Sequence, residues 1–255
     1  MDYVASLGAK KELIVWNPMY RCFGHMKGTT FLRLRGVEKR LKEKFPVHIG
    51  KFAQTSRLDS RVVGRSGGSL VHRQVQKCIK LYSKSPVAWK TLPKIAPETV
   101  AVMKEIQTRQ WIPLYSEYPI GDIAANLGTA IDLLCFDPKT RTVQNIELKV
   151  GYHGNFDTGN KPLSFCKTLL NSPCNLALLQ TMMNEVFLNK YGVTNVESHV
   201  WRLYQSDMGV CVEDRTPPRE MREFKNRIFT VLSLSKTKPP KPKTSKPKVS
   251  KPKKT

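Results

Sequence analysis

The stretch from Ile131 to Gly151 constrains the fold of this chain more than any other segment. Residues 131–136 form an apolar run that contains a single acid, and Asp137-Pro138 begins a turn. The alternation of a strand then resumes from Val143 to Val150. Apolar runs of this length on either side of a turn signal are typical of paired strands. The sequence therefore predicts a β-hairpin at the centre of the fold.

Three charged side chains interrupt this apolar hairpin. Because successive side chains of a strand alternate between faces, the apolar residues at 146, 148 and 150 share one face while Glu147 and Lys149 share the other. Asp132 on the first strand joins them if the two strands pair. Burying these charges costs free energy unless the carboxylates bind a metal or pair with the lysine. A metal site and a buried ion pair are the two interpretations of this pattern.

The overall charge predicts a polyanionic partner. The chain carries 43 basic and 20 acidic residues, which gives a net charge of +23 and a pI near 9.9. DNA is the leading candidate for such a partner, and RNA is the alternative. We expect no membrane association, because the sequence has no apolar run of membrane-spanning length and no distinctive basic amphipathic helix. A chain of this length is expected to form one globular domain with flexible ends.

The last segment of the chain, residues 236–255, has an extreme composition. It contains nine lysines, five prolines and no acid, so it is predicted to be disordered. Such a segment can bind nucleic acid through counterion release, address the protein to a nucleus, or both. We therefore expect a nuclear location, in a eukaryotic cell or in the host cell of a virus. The tail accounts for nine of the positive charges, so residues 1–235 still carry +14.

The cysteines predict an intracellular protein. The sequence has six of them, with no C-x-x-C pair, and no signal peptide is recognisable at its amino terminus. This pattern is typical of reduced thiols. Cys22 and His25 have half of the spacing of a zinc site, but no second pair completes it.

Residues 1–59 are predicted to be a basic, partly helical N-terminal extension. Between Phe31 and Phe45, apolar residues recur every three or four positions with lysines and arginines between them. This period predicts a helix with one basic face. That face is either solvated or in contact with a phosphate backbone.

The segment from Ser60 to Tyr82 is predicted to begin with a turn and to continue as a helix. Its residues 64–68, GRSGG, favour a flexible turn, and Ser69 can cap the helix that follows. Backbone amides at a glycine-rich helix start bind anions, so a DNA phosphate fits there. His72 lies in the first turn, at the margin of the apolar face.

The GRSGG segment also matches G-x-S-x-G, the nucleophile elbow of the α/β-hydrolases. Ser66, Asp132 and His199 occur in the order that a catalytic triad has in that fold. However, that fold needs several βα units before its elbow, and the short, mostly basic segment before Ser66 does not provide them. The esterase interpretation is therefore disfavoured.

The other apolar patterns predict further helices and strands. We expect helices at 97–110, 173–191 and 218–228, strands at 111–120, 196–205 and 210–213, and a loop at 151–171. The loop is basic and rich in glycine, and Tyr152 and Phe156 within it either stack on bases or pack locally, as aromatic residues in a loop more often do. The helix from Pro173 to Tyr191 is expected to bury one apolar stripe and to end at Gly192. This order of elements predicts an α/β fold with a central mixed sheet flanked by helices.

Several of these residues occur together in the order of a known family. Asp132, followed on the hairpin by Glu147-Leu148-Lys149, resembles the D-x(n)-E-x-K signature of the PD-(D/E)xK nuclease superfamily. Gly68-x-x-x-His72 and Gln180 resemble motifs of its RecB-like and lambda-exonuclease-like branch. Together these features cover about residues 60–192.

Two positions depart from that branch. Gln76 stands where an acid is common, and Asn184 stands where a tyrosine is common. The resemblance implies a PD-(D/E)xK restriction-endonuclease-like core at residues 60–235. This core is expected between the extension at 1–59 and the tail at 236–255.

The resemblance also implies a divalent metal centre. The metal ligands that it implies are His72, Asp132, Glu147 and the backbone carbonyl of Leu148. The catalytic residues that it implies are Asp132, Glu147 and Lys149. Glu117 and Asp122 are the two candidates for an additional acid. Mg²⁺ is expected because hard oxygen ligands favour it, and Mn²⁺ is expected to substitute because of the histidine.

Substrate contacts are expected from residues around this centre. The candidates are Arg65, Ser66, Ser69, Gln180 and Tyr152. The function that the resemblance implies is a metal-dependent DNA nuclease, with an exonuclease in recombination, repair or replication favoured over an endonuclease. A homo-oligomer, and a partner that binds or anneals single strands, are compatible with it. The alternatives are an inactive nucleic-acid-binding protein of the same fold and a basic DNA-packaging protein.

Overall fold

The computed structural model describes residues 14–17, 22–27, 30–46, 65–152 and 155–234. The predicted disordered tail and the predicted domain boundary after residue 59 lie outside the described residues. The same holds for the side chains of Cys22, His25, Arg65 and Ser66.

Within the described residues, helices and strands alternate along the chain. The helices are α1 (Val37–Lys44), α2 (Arg65–Tyr82), α3 (Pro97–Arg109), α4 (Pro173–Lys190), α5 (Arg219–Glu223) and α6 (Lys225–Ser233). The first strands are β1 (Val15–Asn17), β2 (Cys22–Lys27), β3 (Thr30–Arg33), β4 (Arg35–Gly36), β5 (Ile112–Asp122) and β6 (Leu127–Asp137). The later strands are β7 (Thr142–Val150), β8 (Pro162–Leu163), β9 (Cys166–Leu170), β10 (Val196–Ser206) and β11 (Gly209–Arg215).

A mixed sheet lies at the centre of the molecule. Its strands follow the order β11, β10, β7, β6 and β5, in which β10 and β7 are parallel and the other neighbours are antiparallel. β4 adds a short parallel pairing at the start of β6. β1, β2 and β3 form a separate antiparallel sheet, and β8 pairs with β9. The predicted hairpin is therefore confirmed as β6 and β7, and the chain has an α/β fold with a central mixed sheet.

Helices cover both faces of this sheet. On one face, α2 and α3 bury Val75 and Ile106 together with Ile146 of β7. On the other face, α1, α4 and α6 form a second core that includes Leu41 and Leu179. Burial of apolar side chains on both faces makes the hairpin strands apolar along most of their length, as the sequence shows.

Helix α4 is buried almost all around rather than along one stripe. Its bounds agree with the prediction, and Gly192 follows it with φ +86°, a conformation that favours glycine after a helix end. However, 15 of its residues are buried, because the helix lies between the sheet and the helices α1 and α6. A helix with two covered sides needs apolar residues on both.

The predicted helix from Phe31 to Phe45 is wrong in its first half. Residues 30–33 form β3, which pairs with β2, and residues 35–36 form β4, which pairs with β6. The pairing with neighbouring strands satisfies the backbone of these residues, so tertiary contacts override the helical period. The second half is helical as predicted, and it buries Leu41 and Phe45 in the core beside α4.

The predicted turn at residues 64–68 is also wrong from Arg65 onward. Helix α2 begins at Arg65, so Gly67, Gly68 and Ser69 are helical and Ser69 does not cap the helix. The glycine-rich helix start at which an anion site was predicted therefore lies at Arg65 and not near Ser69. The low helix propensity of the glycines is overridden by the amphipathic turns that follow them.

Two further segments differ from expectation. The predicted loop at 151–171 contains the short antiparallel strands β8 and β9, and the side chains of Phe156 and Leu163 within it are fully buried. The predicted closing helix is divided at Phe224 into α5 and α6. The ring of Phe224 packs on that of Phe165, with 5.6 Å between centroids. No helix within the described residues combines the length and the apolar character needed to cross a membrane.

Candidate metal centre

Strands β6 and β7 part at the residues that carry the charges. Their antiparallel pairing ends at Leu133 and Ile146, so Asp132 and Glu147 are the next positions beyond the last pair. There Oδ2 of Asp132 accepts a hydrogen bond of 2.8 Å from the backbone N–H of Leu148. A buried N–H requires an acceptor, and a carboxylate takes the place of the neighbouring strand. Asp132 thus bridges the two strands where their pairing stops.

His72, Glu117 and Asp132 form a compact cluster beside this opening. Nδ1 of His72 lies 2.9 Å from Oε1 of Glu117 and 3.4 Å from Oδ1 of Asp132. One ligand atom from each residue lies within 4.8 Å of the other two. The three residues belong to α2, β5 and β6, so tertiary packing brings them together. Two carboxylates and an imidazole at these distances could hold a metal ion.

Of the two candidates for an additional acid, Glu117 belongs to this cluster. Asp122 instead forms an ion pair with Lys190 and accepts a hydrogen bond of 2.8 Å from the N–H of Ala125. These partners lower the pKa of Asp122 in spite of the effect of its burial. Asp122 therefore has a local structural role at the end of β5.

Glu117 has an unusual backbone conformation. Its φ of +54° lies in the left-handed region, which is uncommon for a residue other than glycine. The flanking residues Ser116 and Tyr118 pair regularly with β6, so Glu117 lies across from Asp132. Such a conformation costs free energy and tends to occur at functional sites. It occurs at the residue whose carboxylate contacts His72.

Glu147 and Lys149 form a second charged group next to the cluster. Nζ of Lys149 lies 2.5 Å from Oε1 of Glu147, and Nε2 of Gln180 donates a hydrogen bond of 2.9 Å to Oε2. Glu147 is only 2% exposed, so both of its oxygens have partners inside the protein. Gln180, which was predicted to contact the substrate, holds Glu147 in this structure. The carbonyl of Leu148 remains a predicted ligand.

The cationic groups of the protein do not fully stabilise the ionised forms of the two buried acids, Asp132 and Glu147. Burial raises the pKa of Glu147 to about 8, with a further contribution from the charge of Asp132 and an opposing one from Lys149. Burial also raises the pKa of Asp132, although the charges of His72 and Lys149 oppose it. Raised pKa values mean that ionised carboxylates are unfavourable here without an additional cation.

The two basic groups are held in their charged forms. Burial alone lowers the pKa of His72, but the charge of Asp132 and the hydrogen bond to Glu117 outweigh it and raise the pKa to about 9. Burial likewise lowers the pKa of Lys149, and the charges of Glu147 and Asp132 more than reverse this effect. A metal ion that binds to His72 must therefore displace a proton at neutral pH.

The other predicted substrate contacts are distributed around the centre. Ser69 is exposed on α2, and its backbone carbonyl accepts a hydrogen bond of 3.2 Å from Nε of Arg73. Tyr152 is 37% exposed, and its ring centroid lies 5.4 Å from that of Phe156. Phe156 is fully buried, so of the two interpretations local packing holds for this residue and stacking on a base does not.

The esterase interpretation is wrong, because His199 and Asp132 belong to different networks. Nδ1 of His199 lies 3.0 Å from Oδ1 of Asp214, and its Nε2 lies 2.8 Å from Oε1 of Gln144. Both ring nitrogens are therefore engaged away from Asp132, which contacts His72 and β7 instead.

The sequence analysis missed a buried polar network on the same face as Glu147. Nδ2 of Asn145 donates to the carbonyl of Thr181 at 2.8 Å and to Oγ of Ser198 at 3.0 Å. Nδ2 of Asn184 donates to Oδ1 of Asn145 at 3.3 Å. This network ties α4 to β7 one turn away from Gln180. The sequence feature that could have predicted this network is the polar pair Gln144-Asn145, which lies inside a mostly apolar strand and needs hydrogen-bond partners when buried.

The chain was also compared with known proteins. No model of a protein family matches its sequence, and no match was found among curated proteins.

Proposed function

We propose that this chain is a metal-dependent deoxyribonuclease of the PD-(D/E)xK type, most like the RecB-like and lambda-exonuclease-like branch. One observation carries the proposal: His72, Glu117 and Asp132 converge beside Glu147 and Lys149 where the central hairpin opens. The net charge of +23 supports a polyanionic substrate. We favour an exonuclease in DNA recombination, repair or replication, and a nuclear location consistent with the basic tail.

The donor set fits Mg²⁺ or Mn²⁺. His72, Glu117 and Asp132 would hold the ion, with Glu147 and the Leu148 carbonyl as further candidate ligands. Carboxylate oxygens suit both ions, and the imidazole nitrogen favours Mn²⁺. The raised pKa values of the buried acids support a cation at this place. When bound, such an ion supplies Lewis-acid polarisation of a phosphate and lowers the pKa of a water molecule.

Lys149 is the residue that would act on the reacting atoms. It remains protonated, so it would orient the attacking water and stabilise the negative charge that develops on the phosphate. Glu147 holds the ammonium group of Lys149, and Gln180 holds Glu147 from the opposite oxygen. Gln180 is therefore a positioning residue in this mechanism.

The test is cleavage of linear duplex, covalently closed circular and single-stranded DNA with Mg²⁺, Mn²⁺ or EDTA. We expect cleavage that requires the metal, and digestion of linear DNA alone would identify an exonuclease. Lys149→Ala is expected to lower the rate by about 10²–10³, as loss of one preorganised donor does. Its DNA affinity should stay within about twofold of the wild type, because one charge contributes little to the total.

Lys139→Ala is the matched control, since Lys139 is exposed at the turn of the same hairpin. Undiminished cleavage by Lys149→Ala would refute the role of the lysine. Metal-independent DNA binding by the wild type without any cleavage would instead favour the inactive nucleic-acid-binding protein.

A further inference from the structure

A cleft of about 300 Å³ adjoins the candidate metal centre. Lys149 and Gln180 line it, and both contact Glu147, so the cleft begins at the residues of the centre. Its other walls come from α1 and α4 and include Leu41 and Leu176. This volume lies at the lower end of the range for small-molecule sites, which favours a single ring system over a larger ligand.

The lining of the cleft combines apolar walls with cationic and aromatic groups. Ala177 adds to the apolar surface, and Lys149 contributes an ammonium group. The acid that lines the cleft, Glu38, is paired with Lys42 at 2.5 Å, so its charge is locally balanced. Tyr152 supplies a ring that is 37% exposed.

We infer that this cleft receives an unpaired nucleobase of the DNA strand whose phosphate lies at the metal centre. The inference rests on the proposed nuclease function. A nucleobase is a flat, weakly polar ring joined to an anionic phosphate, which matches apolar walls next to the ammonium group of Lys149. Tyr152 offers a face for stacking, and aromatic side chains stack on bases without regard to sequence.

The geometry has a consequence for the class of substrate. A base in a closed duplex is paired and stacked, so it must leave the helix before it can enter a cleft between two protein helices. The cleft therefore selects single-stranded DNA or the frayed end of a duplex. It also disfavours the interior of closed duplex DNA.

The experiment measures binding of the full chain in EDTA, at physiological ionic strength, by competition against a fluorescent single-stranded oligonucleotide. The two competitors are a short oligothymidine and an oligomer of the same length and charge whose sugars carry no base. The wild type is expected to prefer the oligothymidine by about tenfold, because stacking on a protein ring strengthens binding of a base by about this factor or more. The phosphate contacts are the same for both competitors and cancel in the ratio.

Two variants of Tyr152 and one control variant test whether the ring of Tyr152 causes the preference for the oligothymidine. Tyr152→Ala is expected to reduce it to less than about twofold, and Tyr152→Phe, which keeps the ring, is expected to retain it. Met208→Ala is the control, because Met208 is a large side chain that is 94% exposed and does not line the cleft. Circular dichroism of each variant verifies that the fold is unchanged.

The outcomes separate this inference from the proposed function. A preference for bases that Tyr152→Ala leaves intact, or equal binding of both competitors by the wild type, overturns the assignment of the cleft. Neither result depends on hydrolysis, which EDTA prevents. Absence of cleavage with every metal would overturn the nuclease proposal, whatever the binding ratio shows.

Discussion

Replacement of Asp132 by asparagine is expected to stabilise the metal-free protein and to abolish its response to metal. Asp132 is 7% exposed, and its burial raises its pKa in spite of the nearby charges of His72 and Lys149. The ionised carboxylate is therefore unfavourable in the folded protein without metal. Asparagine keeps an oxygen that can accept the N–H of Leu148, so the bridge between β6 and β7 is retained.

The magnitude follows from the cost of the buried charge. A buried polar group without full compensation costs about 1–3 kcal/mol, and loss of the attraction between Asp132 and His72 offsets part of the gain. Removal of the charge is therefore expected to raise the free energy of unfolding by about 1–2 kcal/mol. For a chain of this size, the melting temperature should rise by about 2–8 °C. Metal at about 100 times its Kd stabilises the wild type by about 2.7 kcal/mol, and the resulting rise of about 5–10 °C should be absent in the variant.

The assay is thermal unfolding in EDTA and in a series of Mg²⁺ or Mn²⁺ concentrations. Asp137→Asn is the matched control, because Asp137 is the last residue of the same strand and its carboxylate accepts a hydrogen bond of 2.8 Å from the N–H of Lys139. The control should keep the full metal response. Two results would refute the reasoning: a metal response in Asp132→Asn equal to that of the wild type, or a metal-free variant less stable than the wild type by more than about 1 kcal/mol.

Three further predictions concern pH, backbone strain and the tail. The pKa of His72 rises from 6.5 to about 9 on folding, so its contribution to stability is fully present below pH 6.5 and is lost as the pH rises through 9. Metal-free melting temperatures should fall over this range, and His72→Gln should reduce the slope. Because Glu117 has φ +54°, Glu117→Gly is expected to be more stable than Glu117→Ala by about 1 kcal/mol in urea unfolding, and equal stabilities would contradict the strain. Removal of residues 236–255, which carry nine lysines, should reduce the salt dependence of DNA binding in titrations, and an unchanged slope would mean that the tail does not contact DNA.

The parts of the fold that were predictable are those in which local pattern and tertiary burial agree. The hairpin from Ile131 to Val150 is apolar because both faces of its strands are covered, and its turn is marked by Asp137-Pro138. The predicted helix at residues 173–191 was recognisable by its length and by Gly192. In contrast, residues 30–36 have a helical period but pair as strands, because neighbours distant in sequence satisfy their backbone.

In the candidate metal centre, too, some residues were predictable from the sequence and others were not. Asp132, Glu147 and Lys149 were identifiable because charges inside an apolar hairpin require partners. The sequence did not show whether Glu117 or Asp122 belongs to the centre. That choice depends on the left-handed backbone conformation of Glu117 and on the ion pair between Asp122 and the distant Lys190. Gln180, which was predicted to contact the substrate, donates a hydrogen bond to Glu147, and only the packing of α4 on β7 reveals this bond.

The amino-acid pattern predicts most of the helices and strands, the excess of positive charge and the positions of the charged residues on the hairpin. These are local properties, set by the period of apolar side chains and by composition. In contrast, the packing of the folded chain brings one ligand atom each from α2, β5 and β6 to within 4.8 Å, and it encloses a cleft between α1 and α4 beside them. Such proximity depends on the packing of helices against both faces of the sheet, which no local pattern encodes.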